Sequence, residues 1–282
     1  MTDSATTGRL DLATAGRDEA ALLLARVALA AGPAVMDEYA HGAPARAKGD
    51  GSPVTAADER AEATIRERLA EWAAPIPIVA EEATAAGAPM IVAERFILVD
   101  PLDGTREFIA RNGEFTINVA LIERGQPIAG AVYAPALDRL WFAGARAFVC
   151  AAPVGADLPP VQAWRALKVR AAPPALTALA SRSHCDAATE TFLAGLPIAD
   201  RRSAGSSLKF CVIAEGDGDV YPRFGPTMEW DTAAGDAVLR AAGGATLSVD
   251  GGPLAYGKVA TGLRNGGFIA WGDPRAARPA HR

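Results

Sequence analysis

The sequence feature with the clearest chemical meaning is the stretch DPLDGT at residues 100–105, which follows an apolar run. Residues 96–99 predict a buried strand, and Pro101 requires extended or turn backbone at its junction, so Asp100 and Asp103 can both project from the strand's carboxyl end. If a helix begins just after them, its first N–H groups lack intrahelical partners and its positive end faces the two carboxylates. This order of residues predicts a cation site beside an anion site, although an isolated Asp-Gly pair is commonly only a turn.

Two further acidic segments fit the same kind of site. Glu81 and Glu82 end a short apolar run, and Asp231 opens a helical stretch of small residues. Taken alone, the glutamate pair is more often a solvated turn, and the aspartate is more often a plain helix cap. Together with the aspartates at 100 and 103 they form an all-oxygen ligand set, which hard cations such as Mg²⁺ select, whereas the three histidines have no spacing that would suit zinc. Carboxylate-bound Mg²⁺ next to N–H donors is usual in phosphoryl chemistry.

The composition is that of a globular chain without the net positive charge that would attract polyanionic polymers. Half of the 282 residues are apolar, 22% are charged and the formal net charge is −5. That balance argues against nucleic-acid polymers as partners, and a small polyanionic substrate would need a metal and a few local cations. The three cysteines are odd in number and scattered, which argues against a disulfide framework and for the reducing cytoplasm.

One stretch, residues 20–36, is apolar enough to compare with a membrane span. Arg26 lies inside it and a Gly-Pro pair interrupts it, so we expect a buried or amphipathic helix and no transmembrane segment. The N-terminal residues lack a basic region followed by an apolar core, and we therefore expect no secretion signal.

The predicted elements are a helix pair followed by mostly sheet, and then a half in which strands and helices alternate. Helices are predicted at 17–40, 55–73, 186–194, 207–214 and 231–242, and strands at 77–80, 96–99, 115–122, 128–133 and 140–142. Residues 125–127 predict a turn, Thr55 a cap for the second helix, and residues 274–282 a frayed tail. A shift to Ala, Pro and Gly near residue 155 divides the chain into an N-terminal α+β half (1–160), which carries the metal motifs, and a C-terminal α/β half (161–282), which completes the site.

The three acidic segments, in this order and spacing, resemble the signature of the inositol monophosphatase superfamily of Mg²⁺-dependent, lithium-sensitive phosphatases. The segments concerned are Glu81-Glu82, DPLDGT at 100–105 and WDTAAG at 230–235. Further segments, at 51–58, 107–116, 181–184, 205–210 and 221–226, resemble the 3'(2'),5'-bisphosphate nucleotidase branch of that superfamily. The resemblance runs over residues 22–268.

The resemblance implies a layered αβαβα sandwich with two mixed sheets and a site between them. It also implies roles for particular residues. Metal ligands for two or three Mg²⁺ ions would be Glu81, Asp100, Asp103, Asp231 and the carbonyl of Leu102, a set that also borders the substrate. Gly104 and Thr105 would receive the scissile phosphate, and Asp58 and Thr105, with Glu81, would orient and deprotonate the attacking water.

The branch-specific segments would recognise the nucleotide. The residues that the resemblance places around the adenosine and its second phosphate are His184, Ser206, Lys209 and Arg223. Each has a plainer interpretation: Lys209 as a surface charge, His184 as a hydrogen-bonded loop residue, and Arg223 as a structural partner for nearby acids.

The activity implied by the resemblance is hydrolysis of the 3'-phosphate of adenosine 3',5'-bisphosphate, with the 5'-phosphosulfate analogue of sulfur assimilation as a second candidate substrate. An inositol- or sugar-phosphate monophosphatase is the alternative enzyme, because the metal motif is shared across the superfamily. A catalytically silent phosphonucleotide-binding protein is the alternative outside catalysis. The resemblance implies a cytoplasmic protein and leaves open a loose peripheral attachment to the inner membrane.

Overall fold

Two β-sheets and three layers of helices make up the fold in the computed structural model, which describes residues 9–42, 46–47, 53–180 and 186–279. The α-helices are α1 (Arg17–His41), α2 (Ala56–Trp72), α3 (Glu81–Ala85), α4 (Thr105–Ile109), α5 (Ala187–Ala194), α6 (Leu208–Ala214) and α7 (Trp230–Ala241). The strands of the N-terminal part are β1 (Arg46–Ala47), β2 (Pro53–Val54), β3 (Ile78–Ala80), β4 (Arg95–Asp103), β5 (Thr116–Glu123), β6 (Gln126–Ala134), β7 (Arg139–Ala143), β8 (Ala147–Ala151) and β9 (Arg165–Ala166). The strands that follow are β10 (Leu176–Ala180), β11 (Ile198–Ser203), β12 (Val220–Arg223), β13 (Thr227–Met228), β14 (Ala245–Ser248), β15 (Arg264–Asn265) and β16 (Phe268–Trp271).

Both large sheets mix parallel and antiparallel neighbours. The first has seven strands in the order β3-β4-β5-β6-β7-β8-β9, and only β3 and β4 run parallel. The second has five strands in the order β11-β10-β12-β16-β14, with β10 parallel to both of its neighbours. The remaining strands form two short antiparallel pairs, β1 with β2 and β13 with β15.

The helices separate into an outer pair, a central pair and one helix on the far side. α1 and α2 pack on one face of the first sheet, α6 and α7 fill the space between the two sheets, and α5 covers the outside of the second sheet. Each interface between layers has its own cluster of buried apolar side chains, because a sheet that is apolar on both faces must bury both. The αβαβα sandwich expected from the sequence is confirmed.

The first helix is long and apolar enough to cross a membrane by length and composition, but 61% of its most apolar window is buried inside the fold. Its buried face, which includes Leu24, Val27 and Val35, lies on the first sheet. The helix also continues through Pro33. It is a core helix here, as the charge inside the stretch predicted.

Most predicted elements agree with the structure to within a few residues, and two predictions are wrong in detail. The turn predicted at 125–127 lies at Arg124 and Gly125, both with positive φ, and β6 already begins at Gln126. A register shift between β5 and β6 accommodates Pro127, which cannot donate a ladder hydrogen bond. The tail is ordered further than expected, because the Asp273 carboxylate accepts from Arg275 N and caps a short 3₁₀ turn at Pro274–Ala276.

The division of the chain at residue 160 stays a prediction. The last strand of the first sheet, β9, is Arg165–Ala166, and the first strand of the second sheet, β10, begins at Leu176. Segments from both sides of residue 160 contribute to the site described next.

Candidate active site

The central feature of the site is the end of β4, where the strand runs on through Pro101 to Asp103. The pairing with β5 shifts register between Asp100 and Asp103, so the residues between them leave the ladder. The carboxylate of Asp100 is almost fully buried and accepts from the N–H of Leu102 at 3.1 Å. Gly104 follows with φ 93°, where a Cβ would lie 3.3 Å from the carbonyl oxygen of Glu114. The chain can therefore turn sharply into α4 at that residue.

Asp103 is held by donors from both large parts of the fold. Its Oδ2 accepts from the Ser206 hydroxyl at 2.6 Å, from Ser207 N at 2.8 Å and from Ser207 Oγ at 3.1 Å. Asn118, buried on β5, donates to the same oxygen at 3.3 Å and to Ser207 Oγ at 2.9 Å. The Ser207 hydroxyl also lies 2.9 Å from the backbone carbonyl oxygen of Asp231. One carboxylate oxygen thus serves the protein, and Oδ1 is left for the cavity.

Asp58 and Thr105 meet through a helix cap. Thr55 is the N-cap residue of α2, and its side chain accepts from Ala57 N. Thr55 and Asp58 also form a capping box, in which the side chain of each bonds to the backbone of the other. The predicted cap is therefore confirmed. The Thr55 N–H and hydroxyl donate to Asp58 Oδ2 at 2.8 and 2.7 Å. The other oxygen, Oδ1, accepts from the Thr105 hydroxyl at 3.2 Å, and that hydroxyl is also 3.3 Å from the carbonyl of Leu102.

Glu81 enters the site as the first residue of α3, directly after the parallel strand β3. The N–H groups of the next two residues are bound by a buried glutamate from α2, Glu62. Because β3 pairs in register with β4, the ends of the two strands lie side by side, and the carboxylates that follow them meet at one edge of the sheet.

Asp231 lies in the first turn of α7, one residue after the helix begins. Its Oδ2 accepts from the Thr227 hydroxyl and from Met228 N. Burial, together with the negative charges of Asp103 and Glu81, raises the pKa of this carboxyl from 3.8 to about 7. The charges of Asp103 and Glu81 therefore act on Asp231.

The predicted metal ligands all line one cavity with a volume of about 240 Å³, together with Gly104 and Thr105. Within the described part of the chain, no three His, Cys, Asp or Glu side chains are drawn together tightly enough to form a ready-made cation site. Like charges without a counter-ion keep apart, and three of the carboxylates, those of Asp100, Asp103 and Asp231, turn one oxygen towards protein donors. The predicted ligands therefore line the same cavity without forming a preassembled cation site.

Lys209 also borders the cavity, but it is a buried residue and not a surface charge. Only 3% of the side chain is exposed, and its ammonium donates to the carbonyls of Ala204 at 3.0 Å and Ser206 at 2.7 Å. The ammonium also lies 5.1 Å from the ring centre of Tyr221. Two of its three donors thus hold the turn that brings the two serines to Asp103.

Arg223, at the end of β12, has far fewer partners. Its guanidinium donates to the carbonyl of Pro226 at 3.2 Å, and its buried Nε has no hydrogen-bond partner among the residues that the structure describes. Within the same described ranges, no carboxylate lies within ion-pair distance of Arg223, so its interaction with the acids of the site is one of charge over a longer distance. It borders the same cavity as Asp231, with donors available to an anion.

His184 lies outside the described residues, as does the rest of the 181–185 segment. Sequence reasoning missed Glu62, Thr116, Asn118 and Ser207, all of them buried polar residues around the site. Their signal is a polar side chain within an otherwise apolar run, such as Asn118 inside β5, because a buried amide needs hydrogen-bond partners.

Comparison with known proteins identifies the family of the chain. The model of the "Inositol monophosphatase family" matches residues 18–271. The 3'(2'),5'-bisphosphate nucleotidases CysQ of Shigella flexneri and of Escherichia coli K12 are each 43% identical over 235 residues, covering 80% of this chain and 89% of the relative.

Solved structures show the same fold. The crystal structure of CysQ from Bacteroides thetaiotaomicron superposes with a TM-score of 0.73 at 38% identity, covering 90% of this chain and 97% of the other. An inositol monophosphatase from Anabaena, at 24% identity and a TM-score of 0.69 over 91% of each chain, shares the fold. With a family match over most of its length and relatives above 40% identity, the chain belongs to the inositol monophosphatase family.

Proposed function

We propose that this protein is a Mg²⁺-dependent phosphatase that hydrolyses the 3'-phosphate of adenosine 3',5'-bisphosphate to AMP and inorganic phosphate. The observation that carries the proposal is that one cavity is lined both by four carboxylates and by the guanidinium of Arg223, for which the described residues offer no carboxylate within ion-pair distance. The first feature suits cations at a reacting phosphate, and the second suits a further anionic group on the same substrate. Relatives named as bisphosphate nucleotidases support the substrate class.

The donor set fits a hard cation. The groups that would hold Mg²⁺ are Glu81, Asp100, Asp103, Asp231 and the carbonyl of Leu102, all oxygen donors on the cavity. Buried carboxylates beside one another are costly unless a cation offsets their charge, and both burial and the neighbouring carboxylates raise the pKa of Asp231. When bound, Mg²⁺ would neutralise charge on the phosphate and lower the pKa of the attacking water.

The residues of the chain would orient that water. Asp58 has its Oδ2 fixed by Thr55, so its Oδ1 is held where the Thr105 hydroxyl can donate to it. With its proton directed to Asp58, the hydroxyl oxygen presents lone pairs to the cavity and can accept a hydrogen bond from water. Glu81 lies on the same cavity and would take the proton that the water loses. No covalent intermediate is needed.

The substrate would bind with its two phosphates on different walls. Gly104 and Thr105 would receive the scissile phosphate beside the carboxylates, and Arg223 would bind the 5'-phosphate through its terminal nitrogens. Ser206 and Lys209 border the space between these two regions. Lys209 keeps one donor for a phosphate beyond the two that bind carbonyls. As part of the proposal, the protein acts in the cytoplasm, and the 5'-phosphosulfate analogue is a second substrate.

A substrate panel tests the proposal. Purified protein with Mg²⁺ should release phosphate from adenosine 3',5'-bisphosphate faster than from adenosine 3'-monophosphate or inositol 1-phosphate, and EDTA should abolish the release. Li⁺ should inhibit at concentrations where Na⁺ does not, as the family resemblance implies. A preference for inositol 1-phosphate would assign the protein to the monophosphatases, and binding of the nucleotide without phosphate release would make it a silent binding protein.

A further inference from the structure

Glu62 is a buried carboxylate that the reaction described above does not use. It lies on α2 one helical turn after Asp58, and only 5% of it is exposed. Residues four apart lie on the same face of a helix, so α2 presents both carboxylates towards the candidate site. A buried carboxylate is costly unless strong donors satisfy it.

The donors that bind Glu62 come from α3. Its Oε2 accepts from Glu82 N at 2.7 Å and its Oε1 accepts from Ala83 N at 3.0 Å. These are the second and third N–H groups of a helix whose N-cap position is Ala80, a residue with no side-chain acceptor. In most helices a Ser, Thr, Asp or Asn at the cap satisfies one of these groups. Here a carboxylate from another helix satisfies both, and its negative charge lies at the positive end of α3.

The residue fixed by this cap is Glu81, the first residue of α3. A helix of five residues has too few internal hydrogen bonds to hold its own first turn. The bidentate contact from Glu62 therefore fixes the first turn of α3, and with it the position of the Glu81 backbone and the place where the Glu81 carboxylate enters the cavity.

We propose that Glu62 is a positioning residue, which holds Glu81 in the geometry required for cation binding by capping α3 from α2. The inference rests on the proposed function. Asp58 holds Thr105 and Glu62 holds Glu81, so one face of α2 sets both groups assigned to the attacking water. Partners that orient metal ligands typically affect metal affinity or activity by about 10- to 100-fold when they are changed.

The test compares Glu62→Gln and Glu62→Asp with the wild type and with Glu67→Gln, an exposed charge on the same helix. The glutamine keeps one acceptor but turns an NH₂ group towards a backbone N–H, and the aspartate keeps the charge but is one methylene short. We expect the Mg²⁺ concentration for half-maximal phosphate release to rise about tenfold or more in both variants, with kcat at saturating Mg²⁺ within about threefold of wild type. A Mn²⁺ titration followed by the paramagnetic resonance signal of free Mn²⁺ should show the same loss of affinity without any turnover.

A merely structural role would lower the melting temperature and leave the metal dependence unchanged. Both Glu62 variants folded with wild-type Mg²⁺ and Mn²⁺ curves would overturn the proposal, and so would failure of both to fold. If the wild-type protein binds Mn²⁺ but releases no phosphate from any substrate, the proposed function fails, and the Mn²⁺ titration still decides the role of Glu62.

Discussion

Replacement of Arg223 by alanine should separate recognition of the second phosphate from catalysis. Among the described residues, the guanidinium makes one hydrogen bond, at 3.2 Å to Pro226 O, and its buried Nε makes none. Removing it therefore breaks little in the folded protein, and we expect the free energy of unfolding to change by less than about 1 kcal/mol. Any large effect on turnover is then an effect on the substrate.

The size of that effect follows from the contacts that the guanidinium can make. A hydrogen bond to a charged group contributes about 1.5–3 kcal/mol, and about 1.4 kcal/mol corresponds to a factor of ten. The kcat/KM for adenosine 3',5'-bisphosphate should fall by about 10- to 100-fold, whereas that for adenosine 3'-monophosphate, which lacks the second phosphate, should change by less than about threefold. Arg223→Lys should recover part of the loss, because lysine keeps the charge without the bidentate geometry.

Arg223→Ala should weaken substrate binding but leave Mg²⁺ binding unchanged or stronger. Burial lowers the pKa of the guanidinium, but Tyr221 and the negative charges of Asp231 and Asp103 together raise it by more, so the guanidinium has a raised pKa. It therefore competes with a cation for those carboxylates, and the half-saturating Mg²⁺ concentration should stay equal or decrease in the alanine variant.

Steady-state phosphate release with both nucleotides, at several Mg²⁺ concentrations, measures all three quantities. Arg202→Ala serves as the control, since Arg202 is exposed on β11 and pairs with Asp200 at 2.8 Å. Equal losses with both nucleotides would refute the assignment to the second phosphate and place Arg223 at the scissile group. Unchanged kinetics with both would show that the guanidinium binds no substrate anion.

Three further outcomes are expected. Asp103→Asn should reduce phosphate release about a hundredfold or more while circular dichroism stays near wild type, because a neutral amide cannot hold a hard cation and its NH₂ group would face the donors of Ser207 and Asn118; retained Mg²⁺-dependent turnover would remove Asp103 from the site. Lys209→Ala should lower kcat/KM for both the bisphosphate and the monophosphate and reduce the melting temperature, because the carbonyls of residues 204 and 206 lose their donor. The loss should be larger for the bisphosphate if the third donor of Lys209 binds the second phosphate, and equal losses would show that Lys209 acts only through the turn. In EDTA the melting temperature should fall as the pH rises from 5 to 7.5, because Asp231, with its pKa raised from 3.8 to about 7, binds a proton in the folded protein that the unfolded chain has already released; an equally steep fall in Asp231→Asn would contradict this.

The parts of the site that could be predicted from sequence are those in which a chemically distinctive residue lies at the end of a helix or strand that the sequence pattern identifies. The aspartates of β4, the glutamate after β3 and the aspartate opening α7 each follow an element that periodicity identifies, so both their chemistry and their place at an element's end could be predicted. The Thr55 cap was predictable for the same reason.

What could not be predicted depends on contacts between distant segments. Nothing in the sequence near Glu62 indicates that its partners are N–H groups twenty residues further along the chain. Lys209 reads as a surface charge on a short helix, but the turn before it folds back and buries it against Tyr221. The turn at Arg124 and Gly125 was misplaced because proline usually marks a turn, whereas here a bulge lets it enter the strand.

The two hydroxyls of Ser206 and Ser207 on Asp103 have a consequence for how such a protein can evolve. The loop that carries them also borders the space assigned to the nucleotide, and it donates three of the bonds that orient a carboxylate of the cation wall. A mutation that reshapes this loop for a new substrate also moves Asp103. Specificity and metal affinity are therefore inherited together, and a lineage that changes its substrate must pass through variants whose demand for magnesium has changed as well.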